Sequence, residues 1–91
     1  MDTNFQMLRK LDDWTPEKRS IVTLREIKHI TETLCLDEMD ELQLRNMRDF
    51  AVMYYDKRMM HPNTDMMKEQ DKMSAITSVI DLAYYKLTKE I

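Results

Sequence analysis

The chain has 91 residues, 43% hydrophobic and 34% charged, with 14 Lys+Arg against 17 Asp+Glu, giving a net charge of −3. That composition excludes intrinsic disorder and predicts one globular domain, at a length where a monomer's core is marginal and association adds stability. The absence of glycine removes the glycine-rich phosphate loop and the dinucleotide-binding turn, and no catalytic or cofactor signature takes their place.

The first element is a short helix or arm within residues 1–13, with Phe5, Leu8 and Leu11 spaced three apart. It is too short to persist alone in water and must dock on the rest. Thr15-Pro16-Glu17 then presents a hydroxyl cap, a proline at the first helical position and an acid in the first turn. These residues predict a helix over 15–36, with Trp14 just ahead of the cap and Ile21, Leu24, Ile27, Leu34 and Cys35 facing inward. Lys28 lies on the same apolar arc, where a lysine snorkels towards solvent or meets a ligand. Cys35, alone and flanked by leucines, is expected to be a buried reduced thiol of a cytoplasmic protein.

Asp37 as a cap, with Asp40 and Glu41 behind it, predicts a restart and a second helix over 37–60. Met39, Leu44, Met47, Phe50, Ala51, Tyr54 and Tyr55 form its inner side, while Leu42 and Met53 fall on the other. His61-Pro62 ends it, Asn63-Thr64 cap the next element, and the last helix runs over 64–91. A connection this short makes the last two helices an antiparallel hairpin. The expected fold is therefore an all-α small helical bundle: an N-terminal arm plus three longer helices in a single domain.

The last helix carries more apolar residues than one neighbour can cover. Met66, Met73, Ile76, Ile80, Ala83, Tyr84 and Leu87 form one stripe, and Ala75, Val79, Leu82 and Tyr85 form a second about 100–160° round the axis. The second line is the candidate interface, with Met53 on the preceding helix. Exposed methionines suit adaptable contacts, and of the ten in the chain Met53, Met59, Met60 and Met67 are candidates.

Neither histidine has partners at zinc-ligand spacing, and the acidic run Asp37–Glu41 lacks a calcium loop's glycine bend, so no metal site and no cofactor is expected. Cys35 has no base partner in sequence, so no catalytic residue is assigned. Basic residues are scattered among acids, which makes nucleic acid an unlikely partner and a nucleic-acid-binding regulator the third choice. No window is apolar enough for a signal peptide or a membrane span, so no membrane role is expected.

The segment Ser74-Ala75-Ile76-Thr77 through Asp81-Leu82-Ala83, together with Trp14-Thr15-Pro16-Glu17 ahead of Ile27-Lys28, resembles phage helical-hairpin proteins that sequester cyclic nucleotide signals of bacterial immunity, the anti-CBASS and anti-Thoeris sponges. The resemblance covers about a quarter of the chain. It implies an oligomer with Trp14 against a nucleotide base and Lys28, with a neighbouring arginine such as Arg25, against phosphate. The leading expectation is a small non-enzymatic binding protein, a regulator or inhibitor of phage or mobile-element type that self-associates and contacts another protein. The alternative is an oligomeric cyclic-nucleotide sponge.

Overall fold

A computed structural model describes residues 3–89, and it is all-α. The helices are α1 (Thr3–Arg9), α2 (Leu24–Leu34), α3 (Glu41–Met59) and α4 (Met66–Lys89), with one 3-10 turn at Leu36–Glu38. Residues 90 and 91, to which the last helix was expected to extend, lie outside the described residues.

The hairpin of α3 and α4 is the frame. As α3 advances from Glu41 to Arg48 to Arg58, the α4 side chains bonded to it recede from Tyr84 (2.8 Å) to Asp81 (2.8 Å) to Glu69 (3.1 Å), the signature of an antiparallel pair. Asp65 starts α4 by accepting the backbone N–H groups of Met67 and Lys68. It takes the capping role that Asn63-Thr64 were expected to fill, because its carboxylate reaches two of the four N–H groups a helix start leaves unpaired.

The arm docks as expected. Leu8 and Leu11 are fully buried, each contributing about 1.5–3 kcal/mol of hydrophobic stabilisation. Phe5 packs edge-on against Phe50 and Tyr54, with ring centroids 6.2 and 5.1 Å apart.

The helix expected over 15–36 is shorter. Residues 15–23 are non-helical, and α2 starts only at Leu24. Two cap signals compete here, and the second one wins. Thr23 and Glu26 form a capping box, with Glu26 N–H donating to the Thr23 hydroxyl at 3.2 Å and Thr23 N–H donating to the Glu26 carboxylate at 3.1 Å. The same carboxylate accepts the N–H of Glu17 at 3.1 Å and so pins the preceding loop. The run Ile21-Val22-Thr23 is β-branched and resists helix, which favours the later start.

The expected inner face holds at Ile27 and Leu34 but fails at the start of the segment. Ile30 and Leu34 are buried, but Ile21 is 60% exposed and Leu24 85% exposed, so neither belongs to the core as expected. Cys35 is half-buried rather than buried, and its φ of 55° makes it the left-handed residue that stops α2. The restart comes three residues later than expected. Asp40, not Asp37, caps α3 through a reciprocal box with Gln43 at 2.8 and 2.9 Å, and the 3-10 turn fills the gap.

On α4 both apolar lines are real but unequally covered. Ile76 and Ile80 of the first and Ala75 and Val79 of the second are buried, Leu82 is half-buried and Tyr85 is 56% exposed. Val79, a candidate interface residue, is buried beside α2, whereas Met66 and Met67 at the start of α4 and Tyr85 towards its end are exposed. Among the described residues no helix is long and apolar enough to cross a membrane.

Candidate interaction surface

One polar cluster is buried where α1, α3 and α4 meet. Lys72 is fully buried and its ammonium donates to the backbone carbonyls of Leu11, at 3.1 Å, and Asp12, the residues that end the arm. Glu69, 4% exposed, accepts a two-pronged pair of bonds from Arg58 at 3.1 and 3.3 Å. Arg58 donates further to Asp12 at 3.0 Å and to the Tyr54 hydroxyl at 3.3 Å, and Tyr54 donates to Asp12 at 2.8 Å. Two acids and two bases therefore balance.

Burial pulls the Lys72 ammonium below its ordinary value, opposed by Glu69. Burial and the bond to Asp12 raise the Tyr54 phenol. Burial opposes the charge on Arg58, but the bonds to Glu69 and Tyr54 dominate and hold its guanidinium more firmly protonated than usual. With Lys72 sealed from solvent, the cluster fastens the arm to the hairpin. Sequence reading missed it, because Lys72 and Glu69 look like ordinary solvated charges until the arm is laid across them.

The residues proposed to hold a ligand are not gathered in one place. Trp14 packs against His29, ring centroids 6.1 Å apart, whereas Lys28 lines a groove between α2 and α4. Arg25 points away from both into solvent and pairs at 3.7 Å with Glu17. Lys28 is exposed, although Glu26 and Ile30 on either side of it in α2 are buried.

The groove itself is an open depression of about 280 Å³. Leu24, Ile27 and Leu82 supply its apolar surface, and Lys28 and Lys86 on its lining are balanced by Glu32 and Asp37. Tyr85 stands one residue before Lys86 and is exposed. Leu24 is absent from the interface expected from sequence. Its signal was the Thr23–Glu26 box, which makes Leu24 the first residue of a helix and leaves it without a preceding turn to pack on.

A second apolar exposure lies across the molecule. Met53 is 56% exposed and borders a 220 Å³ pocket with Phe5, Phe50, Lys57 and His61, while Leu42, at the start of the same helix, is 67% exposed. At the hairpin tip Met60, Met66 and Met67 are exposed as well. Among the described residues, no group of three or more His, Cys, Asp or Glu is placed to hold a metal ion.

The chain matches no known protein-family model, curated protein or solved structure.

Proposed function

We propose that this chain is a small non-enzymatic binding protein, a regulator or inhibitor of phage or mobile-element type that acts through protein contact and self-associates. The observation that carries it is the exposure, among the described residues, of eight large hydrophobic side chains, with Leu24 lining the α2/α4 groove, Tyr85 next in sequence to its Lys86, Leu42 and Met53 on α3, and Met60, Met66 and Met67 at the hairpin tip. Apolar exposure of this kind marks a surface that another macromolecule covers.

The groove of α2 and α4 is the partner-facing side. A photo-crosslinking residue placed at Leu24 or at Tyr85 is expected to give the same discrete adduct in cells, and one placed at Asn63 none. Adducts that do not depend on the position refute a specific partner at this face. Solution mass by light scattering tests self-association: a mass of 11.1 kDa persisting at about millimolar protein, the weakest affinity of practical consequence, refutes it.

A second reading, the cyclic-nucleotide sponge, draws on Lys28 and Lys86, two cations bordering one apolar groove. Tight binding to the native state raises apparent stability by RT ln(1 + [L]/Kd), so a saturating cyclic dinucleotide shifts the melting temperature by several degrees if this reading holds. An unshifted melt rejects it.

A further inference from the structure

We propose that the self-association uses the outer face of α3, two copies pairing antiparallel about a two-fold axis between residues 47 and 48, which leaves the α2/α4 groove free. The proposal rests on the reading that the protein self-associates and names the surface. Leu42 and Met53, eleven residues apart, fall within about 20° of each other round α3 and about 16 Å apart along it. Both are exposed, and between them lie Arg45, Asn46 and Asp49, also exposed. Among the described residues neither Arg45 nor Asp49 makes an ion pair within the chain, and neither does Lys57 at the far end.

The face is its own complement in one register. Placing Leu42 of one copy level with Met53 of the other, and the reverse by symmetry, puts Asn46 level with Asp49 of the second copy and Arg45 within reach of the same carboxylate. Lys57 then comes level with Glu38 of the second copy, and the exposed Asp56 beside it level with Met39, so that at this end of the face Lys57 offsets the acids. A shift by one heptad sets Arg45 against Lys57; a shift the other way leaves Met53 without an apolar mate. Parallel pairing stacks the acidic ends on each other. The antiparallel arrangement also opposes the two helix dipoles, and it is an isologous contact of the kind that most homodimers use.

Light scattering and electron–electron distance measurement test it. Leu42→Asp and Met53→Glu, both at exposed positions, are each expected to raise the dimer dissociation constant by at least about tenfold, because each removes an apolar anchor twice in a symmetric dimer. Met66→Asp, altering an equally exposed side chain at the hairpin tip, leaves it unchanged. Circular dichroism confirms that all three remain folded. With Cys35 replaced by glycine and spin labels at Asp56→Cys, the two backbone positions are expected about 27 Å apart; parallel pairing predicts about 10 Å.

If the wild type dimerises and the α3 variants dimerise equally well, or the distance matches the parallel value, this surface is wrong and self-association stands. If the wild type remains at 11.1 kDa, both fall together.

Discussion

Replacing Lys72 with methionine isolates the bond between the arm and the hairpin. Methionine keeps the straight aliphatic stem and removes only the ammonium, so the change leaves the carbonyls of Leu11 and Asp12 without their donor and tips the charge balance of the cluster towards Asp12 and Glu69. Hydrogen bonds to a charged group contribute about 1.5–3 kcal/mol each, part of which is returned because a buried ammonium no longer has to be desolvated. A net loss of about 3 kcal/mol follows, large against the roughly 5–14 kcal/mol expected for a domain of this length. At about 4–8 °C per kcal/mol the melting temperature falls by about 12–24 °C.

Urea unfolding followed by circular dichroism gives the free energy. Hydrogen exchange localises it: the N–H groups of Leu11, Asp12 and Trp14, which close the turn after α1, should lose protection before those in the middle of α3. A Lys72→Met protein within 1 kcal/mol of the wild type, or one whose arm amides stay protected, refutes the clamp.

Three further changes probe single features. The Tyr55 hydroxyl is buried with no hydrogen-bond partner, and burial drives its phenol well above the ordinary value. Tyr55→Phe should therefore stabilise the fold by about 1 kcal/mol in urea melts, since an unpaired buried hydroxyl carries a desolvation penalty. Cys35→Gly should add about 1 kcal/mol, because glycine occupies the left-handed region at the end of α2 without a Cβ clash.

The Glu26 carboxyl sits below its ordinary 4.5; burial pushes it up, but the N–H groups of Thr23 and Glu17 and the Thr23 hydroxyl outweigh burial. A depressed carboxyl stabilises the fold above its unfolded value and loses that contribution as pH falls through the folded one. Stability should thus drop with acid below about pH 4.5, and Glu26→Gln should flatten that limb of the pH profile while lowering stability at neutral pH. An unchanged slope in the variant contradicts the loop-pinning role.

The hairpin was legible from the sequence because two strong local signals agreed: long apolar periodicity on both sides and a proline punctuating the short connection, which spans six residues where three were expected. The arm was legible for the same kind of reason, as Leu8 and Leu11 have no use except burial. What periodicity could not decide was which of two well-formed cap motifs starts α2. Thr15-Pro16-Glu17 satisfies the preferences of a helix start, but so does Thr23 with Glu26. The choice is made by β-branched residues between them and by a carboxylate that serves the loop and the helix at once.

That displacement leaves Ile21 outside the helix and Leu24 exposed at its first position, while the shifted caps of α3 and α4, Asp40 and Asp65, are local choices of the same kind. The polar cluster was illegible for a different reason. Lys72 is recognised only by carbonyls about 60 positions away, Glu69 by Arg58 across the hairpin turn, and no local pattern marks a lysine that binds backbone carbonyls.

The Lys72 clamp joins residues 61 positions apart, so the arm is made well before the residue that secures it. At about 5–20 residues per second on the ribosome, roughly 3–12 s pass between the appearance of Leu11 and that of Lys72. Until α3 is made Phe5, Leu8 and Leu11 have no hairpin to bury against, and until Lys72 appears the arm has only the Phe50 and Tyr54 side of α3 to pack on, without its clamp. A nascent chain arrested before α4 emerges is therefore the form most exposed to chaperone capture, and the completed chain withdraws that signal on its own.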